Sequence, residues 1–425
     1  EALPVYETVL ARDPKDRVAL AGVCDAFEAL GRTKEALDAT IRLTSVEAKD
    51  PEAWARRARL ARVAGEGREA LTAITRAVAL APNRADYLRA KRDLLLLHES
   101  YRAAVDAGER LLEIDPRDTD AMRGKALALE RIGKTDAALE EIEHAARVDP
   151  MDRRTWNAKG AALVRIGRRE EALQAFDHTL SLNPGDRVAL VAKGRLLYSL
   201  GRVADALHVF EDGLLLDHEN LEFLNGRAMC LAHDGHFDDA LSIVTFVFQK
   251  DPNNYDAYRT KGLCLLRMDR AAEAAACFDF TLKADPRDAV VVTWKGEALE
   301  ALERHTEALA AFEAASEIDP TSAEAWRGKG LVHVKLEKFA EAADAFAQAS
   351  QVRPTDKGVW TMRGFAEERA GRNAAAVESY DQALRIDARD KANWNSKGLA
   401  LLHLRRFEEA GRCFDAALAL DPTYE

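Results

Sequence analysis

The chain has 425 residues, 61 of them basic and 72 acidic, for a formal net charge of −11. The signs are interspersed with no basic excess, which excludes a general nucleic-acid binder, because such proteins draw their affinity from neutralising phosphates. Five scattered cysteines do not make the dense disulfide framework of a small secreted domain, and no apolar run of 18 residues is present, so the expectation is a cytoplasmic chain with reduced thiols and no membrane contact.

Residues 1–16 read as the second helix of a partial unit, ending at Pro14. From there one pattern repeats. Ala occurs every 34 residues from Ala2 to Ala410 without a break, and Pro follows at the same period, usually as Asp-Pro, interrupted only at Ala48, His218 and Ala388. Twelve units follow, numbered here repeats 1 to 12: 17–50, 51–84, 85–118, 119–152, 153–186, 187–220, 221–254, 255–288, 289–322, 323–356, 357–390 and 391–424. Ala, Leu, Arg and Glu are plentiful, which favours helix throughout. The brief β-branched or aromatic runs Ile243–Phe248 and Val290–Thr293 lie inside that helical pattern and are expected to follow it.

Each unit is expected to hold two antiparallel helices. Glycines such as Gly160, Gly262 and Gly398 fall midway along the first helix, at a cost of roughly 1 kcal/mol relative to Ala, which implies a close approach to the second helix and its constant Ala. Gly31, Gly65, Gly133, Gly167, Gly201, Gly235 and Gly371 fall just past the first helix, where a left-handed residue closes it. Asp-Pro ends the second helix, since proline cannot continue it. Tryptophans such as Trp156 and phenylalanines such as Phe176 are expected to be core. Repeat 3 departs from the pattern, with Arg92 at the small position and Gly108 at the aromatic one, which predicts compensation between the two and a locally more mobile packing.

Trp156, Gly160, Leu163, Gly167, Ala172, Phe176 and Pro184 in repeat 5 show the signature most fully, and with it the chain resembles the tetratricopeptide repeat family along its whole length. The resemblance implies an all-α fold, an α-α superhelix that is a right-handed solenoid of antiparallel helix pairs, continuous from residue 17 to 424. It also implies a concave groove lined by the second, fifth, ninth, twelfth and thirteenth residues of each repeat, where such proteins bind extended or helical peptides.

No phosphate loop, nucleophile elbow or C-x-x-C motif is present, so no enzyme activity and no cofactor are expected. Cys230, His233 and His236 come nearest to a metal site and read as a core thiol beside two solvent-facing histidines. Along the groove, Asp86 with Arg89, Asp120 with Arg123, Asp256 with Arg259 and Glu324 with Arg327 are spaced to neutralise each other at i and i+3. Arg154, Arg165 and Arg195 lack such neighbours, and with Asn157, Tyr198, Asn225 and Met229 they form the candidate peptide-contact patch. Glu297, Glu300 and Glu303 then change the sign of the groove, and Leu331, Val334, Phe365, Leu399 and Leu402 make it apolar. The pattern departs from the carboxylate clamps of this family that hold chaperone tails, because Leu263 and Leu331, not Asn, follow Arg259 and Arg327. The expected role is a scaffold or adaptor for a protein or peptide partner. Two alternatives are self-assembly through apolar residues of the last unit, such as Phe407, Phe414 and Leu418, and service as the regulatory arm of a larger enzyme such as a protein glycosyltransferase.

Overall fold

The first helix of nearly every repeat begins at a capped residue. In eleven of twelve repeats the residue before it is Asp, Asn or Ser, whose side-chain oxygen accepts a backbone N–H from the first turn, as Asp152 does from Arg154 and Asn254 from Ala257. Such a cap contributes about 1 kcal/mol by satisfying a donor that the helix itself leaves open. Repeat 3 is the exception, with Arg84 at the capping position. Each first helix then runs 13 residues, as in Arg153–Arg165, and is closed by a residue with positive φ. Seven of these are the expected glycines, with φ between 69° and 85°. The other five are Glu99, Asp269, Glu303, Glu337 and Arg405, at the same repeat position and in the same left-handed region.

Second helices run 14 residues, as in Arg169–Leu182, except in repeat 8, where Ala271–Thr281 stops short. The Asp of Asp-Pro does more than precede the proline. Asp115, Asp149 and Asp319 each accept the backbone N–H two residues on, which shapes the turn into the next repeat.

The computed structural model of the chain describes residues 2–421, with twenty-five helices and no strand among them. Pro422 and the last residues of repeat 12 lie outside the described residues. The chain forms two compact units, Glu1–Arg202 and Val203–Glu425, with the division inside repeat 6. Each is an all-α stack of antiparallel helix pairs, the architecture of a solenoid.

Packing inside a repeat differs from the expectation in two respects. The mid-helix glycine does not simply face the constant Ala: an added Cβ at Gly160 would lie 2.5 Å from the Phe176 ring, and Gly262, Gly296 and Gly330 meet Phe278, Phe312 and Phe346 in the same way. The ring needs the space that the glycine leaves. These phenylalanines are buried, and removing one ring would cost about 3–5 kcal/mol. The tryptophans, expected in the core, are only half-buried. Trp156, Trp326 and Trp360 each donate their indole N–H to the carbonyl six residues earlier, at 2.8, 3.0 and 2.8 Å, and so pin the turn that joins successive repeats.

Candidate functional site

In repeats 1 to 3 several of the expected groove positions of the first helices converge on one hollow: Ala21, Asp25 and Glu28, then Glu52, Ala55, Arg59 and Arg62, then Asp86 and Asp93. A pocket of about 790 Å³ opens between Arg17–Ala29, Pro51–Val63 and Ala85–Leu97, all within the first compact unit. Small residues such as Ala21, Ala55 and Ala58 line it, with Leu43 and Ile74 reaching it from second helices.

Seven carboxylates and three guanidiniums line this pocket. Arg56 donates to Glu28 at 2.5 Å and pairs with Asp25 at 2.7 Å, while Arg59 reaches Glu28 at 2.8 Å. Arg84, just outside, holds Asp86 at 2.6 Å and Glu52 at 2.9 Å and lies over the Tyr87 ring. Tyr87 is 4% exposed, and its buried hydroxyl lies beside the Glu52 carboxylate with no donor to its oxygen. Burial, together with the neighbouring Glu52 carboxylate, pushes that hydroxyl up to about 12, so it keeps its proton at neutral pH.

The patch expected from the sequence is distributed differently. Arg154, Asn157, Arg165, Arg195 and Tyr198 belong to the first compact unit, and Asn225 and Met229 to the second. Arg154 is exposed, and its guanidinium has no ion pair among the described residues. Arg165, expected to be unpaired, is held by Glu130 of the preceding repeat, with Nη2 to Oε2 at 2.6 Å. Arg195 and Tyr198 are likewise engaged and are not free groups. Asn157 gives its amide N–H to Asp186 at 3.0 Å and buried Asn225 gives its own to Asn254 at 2.8 Å, which leaves the carbonyl oxygen of each without a partner. Met229 is half-buried against the core around Val244 and Val247.

These asparagines expose a rule that the sequence concealed. Both stand at the fifth position, and the fifth-position side chain grips the capping residue of the next repeat: Arg89 reaches Asp118 at 2.7 Å, Arg259 reaches Asp288 at 3.5 Å, and Arg123 holds Asp152. The expected i, i+3 pairs are therefore largely replaced. Asp120 with Arg123 forms as expected, at 3.2 Å, while Asp86 turns to Arg84 at 2.6 Å and Glu324 to Arg353 at 2.5 Å. In repeat 9, Glu297 is taken by Arg267 at 3.2 Å, and Glu303 is the left-handed residue beyond the helix. The acidic stretch expected there is thus smaller than its sequence suggests.

No group of three or more His, Cys, Asp or Glu is placed to hold a metal among the described residues. Cys230 is buried, which pushes its thiol up to about 12, and His233 is exposed. No helix among the described residues is long and apolar enough to cross a membrane.

Comparison with known proteins agrees with this architecture. A family model described as tetratricopeptide repeat matches residues 123–187, 191–245, 259–323, 296–358, 327–393 and 361–425, and a second model of the same description matches residues 1–60. No curated protein sequence matches the chain. Among solved structures, a tetratricopeptide repeat protein from Parabacteroides merdae is 17% identical over 58% of this chain and 98% of its own, with a TM-score of 0.47. The Cut9–Hcn1 hetero-tetramer of the APC/C is 14% identical over 100% of this chain and 97% of that one, with a TM-score of 0.45. YrrB, described as a TPR protein with an unusual peptide-binding site, is 19% identical over 43% of this chain and 93% of its own, with a TM-score of 0.40. With family models matching most of its length over a regular 34-residue period, the chain belongs to the tetratricopeptide repeat family of protein-interaction scaffolds.

Proposed function

We propose that this chain is a scaffold that holds a segment of a partner protein against the inner wall of repeats 1 to 3. The pocket of about 790 Å³ carries this reading: three successive first helices line it, and its floor of alanines lets a backbone approach closely. A hollow of this size suits a ligand of several side chains, and its charged lining favours a polar one. Arg154 lies further along the same series of first helices and offers an unpaired guanidinium for a carboxylate. The reading assigns no catalysis, since the pocket brings together paired ions and one protonated tyrosine but no nucleophile beside a base.

Ala90 is exposed at the edge of the pocket, so Ala90→Trp fills it without disturbing the core. In crosslinked pull-downs from the source cell, Ala90→Trp is expected to lower recovery of the partner at least tenfold. Glu140→Trp, at an exposed second-helix position, is expected to leave recovery unchanged. Equal recovery with Ala90→Trp and the unsubstituted chain would contradict the reading.

A further inference from the structure

From the charges of the same pocket we infer that the segment it receives is basic, carrying lysine or arginine side chains that meet Asp25, Glu52 and Asp93. This rests on the reading of that wall as the binding face. The three carboxylates come from three consecutive first helices, and each makes its ion pair through one oxygen. Asp25 uses Oδ1 on Arg56, Glu52 uses Oε1 on Arg84, and Asp93 uses Oδ1 on Arg92. Their side chains are 72%, 65% and 62% exposed, so the second oxygens are open to a ligand cation. The guanidiniums on the wall compete little. Arg56 is only 20% exposed and is shared between Asp25 and Glu28, and Arg59 is bound to Glu28.

An independent observation points to the same ligand. The Tyr87 side chain lines the pocket, and its buried hydroxyl has no group beside it to bond except the Glu52 carboxylate, which can only accept. The phenol oxygen is thus left without a donor, and a bound segment that gave it an N–H would satisfy it. An ammonium or guanidinium is the donor that could bond the Tyr87 oxygen and the flanking carboxylates together. Arg62 is the one unpaired cation among the lining residues, so the positive side chains are placed away from it, toward Asp25, Glu52 and Asp93.

The test uses the full chain and three fluorescein-labelled peptides of one apolar framework, with lysine, glutamine or glutamate at alternate positions, followed by fluorescence anisotropy. The lysine peptide is expected to bind at least tenfold more tightly than the glutamine peptide, and more weakly as salt is raised. The combined variant Asp25→Asn/Glu52→Gln/Asp93→Asn is expected to lose at least tenfold for the lysine peptide, Tyr87→Phe several-fold, and Arg62→Glu to gain several-fold. The control Glu140→Gln/Glu170→Gln/Glu378→Gln, at exposed second-helix positions, changes net charge equally and is expected to leave affinity unchanged. Equal losses in control and pocket variants would show general charge attraction and overturn the inference. Tighter binding of the glutamate peptide, abolished by Ala90→Trp, would overturn it while preserving the pocket as a binding face. Binding of none of the three would overturn both.

Discussion

His333 stands at the eleventh position of repeat 10, where Leu163, Leu265 and Leu299 stand in other repeats, and it is buried there with Nδ1 unpartnered. Burial, with Lys329 nearby, lowers its pKa below the ordinary histidine value, and Glu341 and Glu313 offset this only in part. The unfolded chain therefore takes up the proton first as the pH falls. The stability of neutral His333 is fully present above the ordinary value near 6.5 and is lost as the pH falls from there toward the lower folded value. His333→Leu should thus flatten the thermal stability of the chain between pH 7.5 and 5.5 and add about 1 kcal/mol by removing an unpaired buried nitrogen. Equal pH slopes in variant and parent melting curves would refute this. At this scale the sequence was readable where a residue type is nearly obligatory. The seven glycines beyond the first helices announced their positive φ, whereas Glu99, Asp269, Glu303, Glu337 and Arg405 take the same conformation under side chains that give no local sign of it.

Repeat 3 shows how one element absorbs an exchange of two residues. The Arg92 stem lies where an added Cβ at Gly124 would be 2.6 Å away, the receiving position that Phe210 and Phe312 occupy against Gly226 and Gly328. Its guanidinium then leaves the core to Asp93 and to both the carboxylate and the carbonyl of Asp120. Compensation between Arg92 and Gly108 was legible from their spacing; the route of the guanidinium was not, because Asp120 lies 28 residues away. The first helix here keeps its regular 13 residues. Arg92→Gly alone should open a hollow and cost about 3 kcal/mol, while Gly108→Phe alone forces a ring against the Lys125 Cβ, which a mere Cβ would already approach to 2.9 Å. Together they restore the family pattern, so the double variant should be more stable than the sum of the singles by about 1–3 kcal/mol. Native-state hydrogen exchange across Leu94–Leu111 measures this locally, and strict additivity would rule out the proposed exchange.

Neighbouring repeats are joined by side chains between half a repeat and one repeat apart in sequence. The fifth position grips the next repeat's cap, and the seventh-position lysine reaches back to the preceding repeat, as Lys193 does to Asp177 and Lys295 to Asp279, both at 2.6 Å. A nearest-neighbour stack of this kind gains its stability from such interfaces. The 34-residue period and the pairing of helices within it were visible in the sequence, because each is a local pattern repeated twelve times. The binding wall was visible only in part. Arg165 and the fifth-position asparagines looked available because their partners, Glu130, Asp186 and Asn254, lie 35, 29 and 29 residues away. The hollow in repeats 1 to 3 is lined by small residues such as Ala21, Ala55 and Ala58, a weaker signal than any motif. The most direct measurement is site-specific photo-crosslinking in the source cell, with a benzophenone side chain placed at Ala55 on the pocket floor or at Glu170 on a second helix. The account predicts covalent adducts to a partner protein from position 55 and none from position 170; adducts from 170 with none from 55 would contradict it.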